Sequence, residues 1–102
     1  MLQRALTVGG GGGGNAQFVK TTQSMGNSWT NVSIECSTDD LLMVYIQNAG
    51  RSSTLIANGD GTYTSINSSG YTNIKVENGT LQFMYTWTGP GLVHDVYYCY
   101  SI

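Results

Sequence analysis

The chain has 102 residues, of which 40% are hydrophobic and only 10% charged, with four Lys and Arg against six Asp and Glu for a formal net charge of −2. Proteins on average carry about 25% charged residues, so this balance excludes a strongly basic nucleic-acid binder and a membrane binder held by charge; Arg4, Lys20, Arg51 and Lys75 are also too scattered to make a patch. The length allows one domain with one modest core.

Ser, Thr and Asn stand where charges usually do, and the chain is rich in Thr and Tyr with few helix formers. That bias predicts β structure. Low charge also leaves open sheet edges prone to association, which suits a chain that works as part of an assembly.

Residues 1–8 read MLQRALTV. The apolar piece at 5–8 is far shorter than the roughly 7 to 15 residues of a secretory core, and no stretch reaches transmembrane length. The expectation is an unprocessed start and synthesis in a cytoplasm. Leu2, Arg4, Leu6 and Val8 alternate with Gln3, Ala5 and Thr7, which suits a short strand or arm.

Gly9, Gly10, Gly11, Gly12, Gly13 and Gly14 follow. Six glycines extend about 20 Å, or span about 13 Å as a coil, so residues 1–14 read as an arm and tether ahead of a domain at 15–102. A phosphate-binding loop needs Gly-Lys-Ser/Thr opening a helix, and this run continues instead into Asn15, Ala16 and Gln17. Glycine loses more backbone entropy on ordering than any other residue. A glycine run held in place therefore needs close backbone packing, such as neighbouring subunits supply.

Residues 29–36, WTNVSIEC, alternate Val32, Ile34 and Cys36 with Asn31, Ser33 and Glu35, the pattern of a half-buried strand. Ser37 to Asp40 turn the chain. Residues 41–48, LLMVYIQN, are apolar on both parities and predict a central strand covered on two sides. Asn48, Ala49 and Gly50 make a turn, 54–57 a short strand, and Asn58-Gly59-Asp60-Gly61 a hairpin loop leading into 62–66.

The clearest signal lies at 71–87, YTNIKVENGTLQFMYTW, where two runs rich in β-branched and aromatic residues flank Asn78-Gly79. A type I′ turn there pairs Glu77 with Thr80, Val76 with Leu81, Ile74 with Phe83 and Thr72 with Tyr85. An isolated hairpin is marginal in water, so other strands must cover it. A last strand at 92–102 runs to the C-terminal residue. Seven to nine strands at this spacing predict an antiparallel β-sandwich or jelly-roll-like domain.

No residue set points to catalysis, a metal or a cofactor. His94 and Asp95 are adjacent on a strand and face opposite ways, and parity likewise separates His94 from Cys99. Cys36 and Cys99 allow either one disulfide or two free thiols, the latter favoured without a signal peptide. Asn31, Asn67 and Asn78 head three sequons, about what chance supplies in so Ser/Thr-rich a chain. The loop at 58–61 lacks the closing Glu of a calcium loop and reads as a turn. Trp29 and Trp87, with seven tyrosines, are anchors for a core or interface, or a platform on which a ligand stacks.

An unprocessed start, a short arm, a glycine run and a small Ser/Thr/Asn/Tyr-rich β domain together resemble small virion structural proteins of tailed bacteriophages, such as head decoration proteins, head fibres and tail-fibre tips. The resemblance lies in layout rather than in a shared motif. It implies a non-enzymatic protein located in the virion that forms a homotrimer or other homo-oligomer and contacts other virion proteins. The arm, through Leu2, Leu6, Val8 and the glycines, would be its assembly element. The other expectation is a carbohydrate-binding or receptor-binding adhesive module that uses Trp29 and Trp87 against a host surface glycan. Neither involves nucleic acid or a membrane.

Overall fold

The computed structural model describes residues 15–87, 89 and 91–102. The arm and glycine run at 1–14, with Leu2, Leu6 and Val8, lie outside the described residues. Among the described residues eight strands follow in chain order: β1 (Ala16–Met25), β2 (Thr30–Asn31), β3 (Leu41–Asn48), β4 (Arg51–Ala57), β5 (Tyr63–Asn67), β6 (Thr72–Glu77), β7 (Thr80–Tyr85) and β8 (Leu92–Ser101), with a 3-10 turn at Thr38–Asp40 before β3. The protein is all-β. A five-stranded sheet has the order β1-β8-β3-β4-β5 and a three-stranded sheet the order β2-β7-β6, with every pairing antiparallel.

The β6–β7 hairpin has the expected register, with Thr72, Ile74, Val76 and Glu77 opposite Tyr85, Phe83, Leu81 and Thr80. Asn78 and Gly79 take φ of 52° and 75°, as a type I′ turn demands. Ile74, Leu81, Phe83 and Tyr85 all face inward. They share one core with Met25, Val32, Leu41, Val44, Ile46, Leu55, Val96 and Tyr98, so residues of both sheets meet in it.

The expected strand at 29–36 is cut short. Only Thr30 and Asn31 pair, with Phe83 and Gln82, and Val32 N–H then reaches the Leu81 carbonyl at 2.9 Å. Side chains replace the ladder beyond that point. Ser33 N–H donates to Gln23 Oε1 at 2.8 Å, and Glu35 N–H to Tyr98 Oη at 2.9 Å. The alternation survives as burial, since Val32 is buried and Ile34 and Cys36 pack against the core, while the edge strand β2 does not continue past Asn31.

β3 is central, as expected, but among the described residues it is covered on one side only. Val44 and Ile46 are fully buried while Met43 and Tyr45 are 36% and 37% exposed. The registers align Phe18, Cys99, Met43, Ile56 and Thr64 in one row across the sheet and Lys20, Tyr97, Tyr45, Thr54 and Ile66 in the next. Both rows lie on the face turned away from the core. The loop at 58–61 is a turn held by Asp60, whose Oδ1 accepts from Thr62 N–H at 3.0 Å and from its hydroxyl at 2.6 Å.

Candidate functional site

Two surfaces bear functional side chains. The first is the outer face of the five-stranded sheet. Period-two alternation sends Phe18 on β1, Met43 and Tyr45 on β3, Ile56 on β4, Ile66 on β5 and Tyr97 on β8 to the same side, and each is between 36% and 55% exposed. Between Phe18, Met43, Tyr45 and Tyr97 lies a shallow apolar hollow of about 200 Å³ with Cys99 among its lining residues. Lys20 and Asp95 stand together on this face, 3.9 Å apart, and Gln47 Nε2 donates to Asp95 at 2.6 Å.

The second surface sits where the β3–β4 turn meets the end of the hairpin. Ala49 and Gly50 turn with φ of 50° and 83° and deliver Arg51 onto β4. Its guanidinium lies 4.4 Å from the centre of the Trp87 ring and 5.0 Å from that of Tyr71. Those two rings meet edge to face at 4.8 Å. Trp87 and Tyr71 remain 51% and 40% exposed, so they are a surface cluster. Thr86 closes the hairpin's open end by donating to the Tyr71 carbonyl from its N–H at 2.8 Å and its hydroxyl at 3.2 Å.

Of the two tryptophans singled out by sequence, only Trp87 joins another aromatic ring. Trp29 is 39% exposed and carries the Lys75 ammonium over its ring at 4.2 Å; among the described residues no ring contact links it to Trp87. Arg51 and Tyr71 escaped the sequence reading. They lie 36 and 16 positions from Trp87 in the chain, and only strand pairing brings them together.

Chemistry-bearing side chains elsewhere are inward or isolated. Cys36 and Cys99 are free thiols, and burial pushes both above the ordinary thiol range, with Asp40 and Glu35 adding to the effect at Cys36. Tyr100 donates to Glu35 at 2.8 Å, and that bond, with some burial, pushes its hydroxyl up to about 12. Among the described residues no group of three His, Cys, Asp or Glu is placed to hold a metal. A groove of about 490 Å³ runs between β5 and β6, lined in part by Tyr63, Ser65 and Lys75.

His94 is fully buried and makes edge contacts with Phe83 and Tyr85 at 5.0 and 4.8 Å. Nδ1 sits 2.8 Å from the Leu92 carbonyl, so this nitrogen carries the proton, and Nε2 has no partner among the described residues. Burial lowers its pKa, against smaller opposing effects of the Leu92 carbonyl and Asp95. The unfolded chain therefore binds this proton more readily than the folded one, and stability is lost as pH falls below the unfolded value near 6.5. Melting temperature is expected to fall between pH 7 and 5, above the range where carboxylates titrate, and His94→Gln should flatten that slope; an unchanged slope in the variant would assign it elsewhere.

A scan against protein-family models and searches of curated proteins and of solved structures found no match to this chain.

Proposed function

We propose that the two sheets form a β-sandwich and that the protein is a non-enzymatic structural subunit of the bacteriophage-virion kind, self-associating through its outer sheet face and attaching through the arm at 1–14. The observation that carries this proposal is the open outer face of β1, β8, β3, β4 and β5. Its central strand is apolar on both parities, which is how a strand reads when both faces are covered. Five strands at about 4.8 Å spacing and seven residues at about 3.4 Å make a face of roughly 550 Å² in projection, the size of the largest patch on a typical monomer, which is often functional.

A second copy is the occupant that suits this face. Stacked sheets need apolar side chains on both partners, and the face carries one cation and one anion, Lys20 and Asp95. A copy turned about a two-fold axis sets the same face against itself and can present the opposite charge to Lys20 and Asp95 without a net repulsion.

Sedimentation of the full chain tests this. Wild type is expected to run as a homo-oligomer at micromolar concentration. Tyr45→Glu, which plants a charge in the middle of the face, should shift it to monomer by at least about ten-fold in dissociation constant. Deleting residues 1–14 should leave a folded domain, because the described residues hold a core of their own, from Met25 to Tyr98 with Val19 packed against it. A monomeric wild type, or an oligomer untouched by Tyr45→Glu, would refute assembly through this face.

A second reading, a glycan-binding adhesive module, is favoured by the exposed rings of Tyr71 and Trp87 beside Arg51. The two are compatible, since the cluster and the outer sheet face use different residues.

A further inference from the structure

We infer that Arg51, Tyr71 and Trp87 form a binding site for an acidic sugar, a glycan unit bearing a carboxylate; this rests on the glycan-binding reading and narrows it. The first observation is charge. All six carboxylate side chains of the protein lie among the described residues. Lys20 pairs with Asp95 and Lys75 with Glu77, whereas Arg51 pairs with none. Among the described residues, the one side-chain hydrogen-bond partner of its guanidinium is Tyr85 Oη, which accepts from Nη1 at a long 3.5 Å. A guanidinium has five N–H donors in a planar fork that matches a carboxylate.

The second observation is the aromatic surround. Arg51 stacks on Trp87 and Tyr71, and a guanidinium held against rings is weakly hydrated and pre-oriented. Half of Trp87 still faces solvent. A flat apolar ring face beside a fork of donors matches a pyranose, whose C–H face packs on the ring while its carboxylate reaches the fork. A neutral sugar would use the ring and leave the cation idle.

Rigidity is the third. Arg51 opens β4, Tyr71 precedes β6 and Trp87 follows β7. Thr72 Oγ1 donates to the Ser52 carbonyl at 2.8 Å, Ser68 N–H donates to the same carbonyl at 2.8 Å, and Thr86 ties back to Tyr71. Arg51 thus sits on a strand, and Tyr71 and Trp87 flank strand ends cross-linked to it and to each other, so little ordering cost attends binding.

The test titrates the Trp29→Phe chain, in which Trp87 is the sole fluorescent indole, with tetragalacturonate, with its fully methyl-esterified form and with acetate, alongside saturation-transfer NMR on the unmodified chain. Tetragalacturonate is expected to bind at least about ten-fold more tightly than the ester. Arg51→Gln should erase that difference, Arg51→Lys should restore part of it, and Trp87→Phe, read by saturation-transfer NMR, should weaken both ligands. Melting curves check that each variant is folded. Equal binding of acid and ester would overturn the acidic preference and leave the glycan reading standing. Binding of neither would overturn both. Acetate competing at the same concentration as the sugar would reduce the site to a simple anion site and overturn the inference.

Discussion

Phe83→Ala is expected to cost about 3 to 5 kcal/mol of folding stability, the range for emptying a large aromatic from a closed core. Phe83 has no exposed surface and belongs to the cluster that joins both sheets. It also supplies one of the two rings against which His94 packs. Removing it leaves a cavity beside an imidazole whose Nε2 already lacks a partner. A domain of this size holds about 5 to 15 kcal/mol in total, so the loss takes a large share of it and lowers the melting temperature by more than about 10 °C. Thr64→Ala, on the exposed side of edge strand β5, should change stability by less than about 0.5 kcal/mol. Urea denaturation of both variants gives the comparison; a Phe83→Ala midpoint close to that of Thr64→Ala would mean the core is not centred on this hairpin.

The hairpin was legible because its information is local. Asn78 and Gly79 carry the turn conformation in their own chemistry, and the turn then dictates every pair from Glu77 and Thr80 outward. The same locality made β3 and β8 readable. It failed at 29–36, where alternation was correct as burial but wrong as secondary structure. What ended β2 after Asn31 was Gln23, whose side chain accepts from Ser33 N–H and donates to the Asn31 carbonyl at 2.8 Å. A glutamine eight and ten positions away leaves no mark in the local pattern.

The candidate sites divide the same way. Trp29 and Trp87 stood out by residue type, and both are exposed. That Trp87 gains an arginine and a tyrosine while Trp29 gains a lysine depends on which strand ends meet, and spacing in the chain does not encode this. Leu41–Asn48 carried the opposite lesson. Its apolar character on both parities predicted two covers, and the described residues provide one. For a chain that works as a monomer this is a conflict between pattern and fold, and for a subunit it is a requirement on the neighbour.

Gly91→Val is expected to be about as damaging as Phe83→Ala, for a different reason. Gly91 has φ of +95°, a region that costs an L residue about 1 to 3 kcal/mol. It also lies against the backbone at the end of β1, where an added Cβ would stand 3.2 Å from the Met25 carbonyl carbon and 3.3 Å from its oxygen. Those atoms cannot rotate away, and overpacking of this kind adds about 1 to 3 kcal/mol. The contact has structural use, because the neighbouring Gly26 carbonyl accepts from Tyr85 N–H at 2.7 Å and so joins the ends of β1, β7 and β8. The summed expectation is about 2 to 6 kcal/mol. Gly79→Val is the matched control: its φ is +75°, but outside its chain neighbours the nearest atom to an added Cβ is Thr38 Oγ1 at 4.0 Å. Only the conformational cost of about 1 to 3 kcal/mol applies there. Urea unfolding of the two variants should therefore place Gly91→Val clearly below Gly79→Val. Equal losses would mean that β1 and β8 separate easily at this end and that the glycine contact contributes nothing beyond its turn.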